Sequence, residues 1–131
     1  TATESKGTGI NWPILRYSDV LLLLAEAENE INNAPTQTAK DMLKRVRERA
    51  FINASDKAVQ VDGYINALED HDTFKQAIIN ERAWEFGGEN IRKFDLIRWN
   101  YYSDAIVNTI EWMRNIAINY LQLKSVGDEL I

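Results

Sequence analysis

Hydrophobic positions in this chain recur mostly at intervals of three and four, the spacing that lines side chains along one face of an α-helix. Tyr17, Val20, Leu21, Leu24, Ala27 and Ile31 mark a first helix. Trp12-Pro13 is read as its opening, because proline suits a first helical turn. The unbroken run Leu21, Leu22, Leu23, Leu24 goes round that helix and predicts burial on more than one side. Residues 32–35, Asn-Asn-Ala-Pro, end it. Thr36 or Thr38 then caps a second helix with an apolar stripe of Ala39, Met42, Leu43, Val46 and Ala50. Lys44, Arg45, Glu48 and Arg49 take its other face, and the short connection makes the two helices antiparallel neighbours.

Residues 51–71 have no clear period, and Asp62-Gly63 reads as a turn, so a long loop is expected with at most one helical turn over 64–68. Thr73 and Gln76 form a capping-box pattern that starts a third helix, running to about Phe86. A fourth covers about 91–99. Ser103 or Asp104 caps a fifth, with Ile106, Ile110, Met113, Ile116, Ala117, Tyr120 and Leu121 on its apolar face. The expected organisation is a lead-in over 1–11, a helical domain over 12–123 and a tail over 124–131. The fold class is all-α, about five helices in antiparallel pairs stacked like tetratricopeptide units, although no strict 34-residue repeat is visible.

Residues 74–99 are the most constrained stretch. Glu81 and Glu85 stand one turn apart, where like charges repel, while Arg92, Asp95 and Arg98 share a face at three-residue spacing. Gly87-Gly88 is a hinge that folds the second half back, because glycine reaches the left-handed conformation that ends helices. The expectation is a structural ion-pair network of Glu81, Arg82, Glu85, Arg92, Asp95 and Arg98, with the two glutamates facing Arg92 and Arg98. Two carboxylates also suit general acid–base catalysis of glycoside hydrolysis. Interleaved guanidiniums lower carboxylate pKa values, however, which favours ion pairing over proton donation.

Composition narrows the field. The 131 residues carry a net charge of −5, so a nucleic-acid surface is not expected. The basic run over 43–50 reads as one side of an amphipathic helix. With no cysteine there are no thiolate metal sites. His71, the single histidine, has no second ligand at helical spacing, so no metal is expected, and no cofactor motif is present. Among the aromatics, Trp12, Trp84 and Trp99 are read as core. Tyr101, Tyr102 and Trp112 are the candidates for exposure and ligand contact.

Three segments, in order, carry a resemblance. They are Pro13-Ile14-Leu15-Arg16-Tyr17 followed by Val20-Leu21-Leu22 and Ala25-Glu26-Ala27; the run over 43–50, LKRVRERA; and Glu81-Arg82, Glu85-Phe86-Gly87, Arg92, Asp95-Leu96, Arg98-Trp99. Together they resemble the C-terminal part of the SusD/RagB-like outer-membrane nutrient-binding lipoproteins of Bacteroidetes. The resemblance implies a tetratricopeptide-like scaffold, no enzymatic activity, and a surface-anchored parent that captures glycans or other nutrients. It also implies a TonB-dependent, SusC-like transporter as partner, with this chain supplying scaffold more than the main ligand pocket. The alternative is a free-standing helical adaptor whose groove binds a peptide or protein helix. A signal peptide is absent, so the chain is expected to be a piece of a longer protein. Its leucine-rich first helix is expected to promote self-association.

Overall fold

The computed structural model describes residues 14–128, with side chains through Tyr120. The lead-in, the Trp12-Pro13 helix opening and residues 129–131 lie outside the described residues. Among the described residues there are six α-helices and one π-helical segment, and the chain divides into two units after Glu85.

The first unit is built on α1 (Tyr17–Asn32), α2 (Gln37–Ala50) and α4 (His71–Glu85). Ile14 and Leu15 are not helical, so α1 starts later than the proline signal predicts. Arg16 stands at its N-cap in extended conformation with no side-chain cap. The leucine run resolves into one inward face. Leu21 and Leu22 are buried, whereas Val20, Leu23 and Leu24 are each more than 40 % exposed, which corrects the expectation of burial on several sides. Asn33, left-handed at φ 51°, ends the helix. Thr36 then caps α2: its Oγ1 accepts from Ala39 N at 3.1 Å and donates to Glu28 of α1 at 2.9 Å.

Polar contacts at both ends show the pairing directions. The start of α1 meets the end of α4 through Arg16, whose Nη2 donates to Glu85 O at 2.9 Å. The end of α1 meets the start of α4, where Asn29 Nδ2 donates to His71 O at 3.0 Å and Lys75 pairs with Glu30 at 2.8 Å. These helices are therefore antiparallel, as are α1 and α2, where Arg45 lies over the Tyr17 ring. Leu22, Leu43, Phe74 and Ile78 are fully buried between them. Each such side chain contributes roughly 1.5–3 kcal/mol relative to exposure. The result is an all-α, tetratricopeptide-like packing of antiparallel helices.

The loop expected over 51–71 is instead helical over residues 57–66, with a π segment over Val59–Gly63 running into α3 (Tyr64–Asn66). Val61, Ile65 and Leu68, at spacings of four and three, are buried. Asp62-Gly63 makes no chain reversal, since Gly63 is helical at φ −60°. The π turn fits one additional residue and keeps Val61 and Ile65 inward. The cap of α4 is also displaced from its expected position. Asp70, not Thr73, accepts from Asp72 N and Thr73 N, and the Thr73 hydroxyl donates back to Asp70 Oδ2 at 2.7 Å.

In the second unit Gly88 takes the left-handed conformation (φ 85°), as do Asn90 and Asn100. α5 (Arg92–Arg98) and α6 (Tyr102–Asp128) follow. The break between them is closed by Tyr101 N donating to Leu96 O at 2.8 Å. α6 starts at Tyr102, ahead of the expected Ser103 or Asp104 cap, and Ile106, Ile110, Met113 and Ile116 on its apolar face are exposed.

If residues 59–66 are packed and not a loop, Ile65→Ala should cost about 2–5 kcal/mol in urea unfolding. Ile52→Ala, at a position 67 % exposed, should change stability by no more than about 0.5 kcal/mol. Equal, small effects at the two positions would contradict the packing.

Candidate functional site

Glu81, Arg82 and Glu85 sit on the inward side of α4, where they continue the helical arc of Phe74 and Ile78. Each needs a partner there, since burying an unpaired charge is costly. Glu81 Oε2 accepts from Arg47 Nη1 at 2.8 Å, both side chains being almost fully buried. Arg47 is held on every side: its Nε donates to Gln60 O at 2.6 Å, and its guanidinium lies 3.8 Å from the centre of the Tyr64 ring and 4.9 Å from that of Phe51. One side chain thus joins α2, the π segment and α4. Arg82 Nη1 donates to Asp19 of α1 at 2.6 Å. Glu85 Oε1 accepts from Arg16 at 2.8 Å and also from Arg49.

Within the first unit, Arg47 supplies the cation for Glu81, and Arg16 and Arg49 supply those for Glu85, three arginines that the expected network did not include. Within the second unit, Asp95 is buried and accepts from Arg98 Nε at 3.0 Å. The Arg98 and Arg92 guanidiniums lie 4.3 and 5.9 Å from the centre of the Trp99 ring.

The two glutamates differ electrostatically. Burial pushes the Glu81 carboxyl above its ordinary value, and the Arg47 bond offsets this only in part. The uniform lowering expected from interleaved arginines therefore fails at Glu81, where desolvation wins. Burial also acts to raise Glu85, but hydrogen bonds led by that from Arg49 outweigh it and hold the carboxyl below its ordinary value.

Two clefts border these pairs in the first unit. One, of about 340 Å³, is lined by Arg16, Arg45 and Arg49 around Tyr17, Ser18 and the apolar Leu21 and Val46. The other, of about 270 Å³, lies beside the buried pair and is lined by Arg47, Ala50, Phe51, Glu81 and Trp84. Trp84 is 63 % exposed, which corrects its assignment to the core. It follows Glu81 by three residues, roughly 60° round the helix, and so falls at the edge of the inward arc. Trp99 is half-buried, and Trp12 lies outside the described residues.

Tyr101, Tyr102 and Trp112 are exposed, at 41, 37 and 65 %. They do not converge on one cleft. The ten residues from Tyr102 to Trp112 span about 15 Å of helix axis. Trp112 instead lines an apolar groove with Met113, Ile116, Ala117 and Tyr120. Among the described residues no group of three or more acidic or histidine side chains is placed to hold a metal ion. None of the helices there is long and apolar enough to cross a membrane.

A family model described as the SusD family matches residues 1–123. A SusD-like protein of Formosa agariphila is 40 % identical over 93 residues, covering 71 % of this chain and 16 % of that protein. A second SusD-like protein of the same organism is 32 % identical over 89 residues, covering 66 % of this chain and 16 % of that protein. The crystal structure of a SusD homolog from Bacteroides thetaiotaomicron superposes with a TM-score of 0.65 at 32 % identity, over 82 % of this chain and 21 % of that one. The chain thus spans about a sixth of the length of the curated relatives it matches.

The Arg47–Glu81 pair should respond asymmetrically to substitution. Arg47→Met strands a buried carboxylate and should cost about 3–5 kcal/mol at pH 7. Glu81→Gln leaves the Arg47 charge unmatched but keeps an acceptor for it, and Gln60 O and the Tyr64 and Phe51 rings still hold the guanidinium, so urea unfolding should show a smaller loss. Equal losses would contradict this account.

Glu85 gives a pH signature. Its folded-state pKa lies below the unfolded value, so its contribution is present above the ordinary 4.5 and disappears as pH falls through the folded value. The stability difference between wild type and Glu85→Gln should therefore shrink on acidification. A difference that stays constant from pH 7 to pH 3 would refute it.

Proposed function

The chain belongs to the SusD family, and we propose that it is the helical scaffold portion of a longer, non-enzymatic nutrient-binding component of a Bacteroidetes outer-membrane uptake system. The parent is a cell-surface, lipid-anchored protein that captures glycans and passes them to a SusC-like, TonB-dependent transporter. The observation that carries this reading is the family match over residues 1–123, supported by the helical likeness to a SusD homolog.

A scaffold role suits the charged residues. Glu81 and Glu85 are each tied to guanidiniums that join separate helices, a pairing that suits a structural role. On this reading Glu81, Arg82, Glu85, Arg92, Asp95 and Arg98 are structural. Tyr101, Tyr102 and Trp112 are the residues offered for ligand contact in the parent, through rings that pack on sugar faces.

The parent protein, expressed with a SusC-like transporter from the same organism, should co-purify with that transporter and bind at least one class on a glycan array, without hydrolysing it. Failure to do either, or turnover that is abolished by Glu81→Gln, would reject the proposal.

A further inference from the structure

The cleft between the start of α1 and the end of α2 has an electrostatic character opposite to that of the chain. The protein carries a net charge of −5, yet all three charged side chains lining this cleft are guanidiniums, those of Arg16, Arg45 and Arg49. Arg16 and Arg49 converge on a single carboxylate oxygen, Glu85 Oε1. Arg45 makes no hydrogen bond or ion pair among the described residues, and its guanidinium rests 5.4 Å from the centre of the Tyr17 ring. That stacking orients a planar cation while leaving its N–H donors for another acceptor.

The rest of the lining is amphipathic. Leu21 and Val46 form an apolar floor, and the Tyr17 ring is 62 % exposed. Ser18 lines the same cleft and is 6 % exposed. Its Oγ is buried with no hydrogen-bond partner among the described residues. A volume of about 340 Å³ falls within the range of small-ligand sites. A bare inorganic anion would use the guanidiniums and leave the apolar floor and the tyrosine unsatisfied.

We propose that this cleft binds the acidic unit of a saccharide, a uronate carboxylate or a sulfate ester, with Arg45 as the principal anion contact and Tyr17, Leu21 and Val46 against the sugar ring. The anion-binding half stands on the cleft itself. The saccharide half rests on the nutrient-binding reading above.

Calorimetric titration of the full 131-residue chain with oligogalacturonate, neutral galacto-oligosaccharide of the same length and sodium sulfate tests this directly. The acidic oligomer should bind at least about tenfold more tightly than the neutral one, as expected for a lost charged hydrogen bond. Arg45→Gln should weaken it by a similar factor while leaving the melting temperature unchanged, because Arg45 is exposed and supports no ion pair. Equal affinity for acidic and neutral oligomers, or affinity unaltered in Arg45→Gln, would overturn the proposal. Sulfate binding as tightly as the acidic oligomer would overturn the saccharide assignment. Failure of the parent to engage a transporter would reject the uptake role yet leave Arg45-dependent binding intact, so the two readings fail separately.

Discussion

A buried guanidinium must have its donors satisfied and its charge matched, and Arg47 imposes that requirement on the whole first unit. It lies 34 residues before Glu81 and 13 before Gln60, and it bonds to both. Three elements from separate parts of the chain must therefore arrive together at one point. Burial of Leu22, Leu43, Phe74 and Ile78 supplies the drive to collapse, but apolar contact is non-directional and tolerates sliding. Moving α4 by one turn along α2 would separate Glu81 from Arg47 and strand two buried charges. Arg82–Asp19 and Arg16–Glu85 apply the same restriction to α1. The core holds the helices together, and the ion pairs determine which register they hold.

Most elements were legible because periodicity is a local property. The stripe Ala39, Leu43, Val46 locates α2, and Phe74, Ala77, Ile78 locates α4, whatever the rest of the chain does. The failures have local causes too. Val61, Ile65 and Leu68 carry a helical spacing, but Asp62-Gly63 between them imitates a turn, and the π segment disturbs the strict period. Four consecutive leucines state that a helix is apolar without stating which side faces inward. Asp70 outcompetes Thr73 as a cap because its carboxylate accepts from two backbone N–H groups, while the threonine hydroxyl turns back to it.

The site was harder to read than the fold, and the reason is range. Glu81, Arg82 and Glu85 are visibly special from their spacing, yet their partners are set by tertiary packing. Arg16 and Arg49 meet at Glu85 across separations of 69 and 36 residues, which no motif of a few residues encodes. The run over 43–50 contains the explanation in retrospect. Arg47 follows Leu43 by four residues and so continues the buried stripe, whereas Arg45 and Arg49 lie to the side. The same helix therefore buries one arginine as a structural hub and offers two others to the cationic cleft.

The register of the first unit depends on Arg47 and Glu81 acting as a pair and not as two independently useful side chains. A double-mutant cycle with Arg47→Met and Glu81→Leu, followed by urea unfolding, measures this. The coupling should be at least about 1 kcal/mol, with the double variant more stable than Arg47→Met alone, because removing both charges leaves nothing stranded. Strictly additive losses would contradict it.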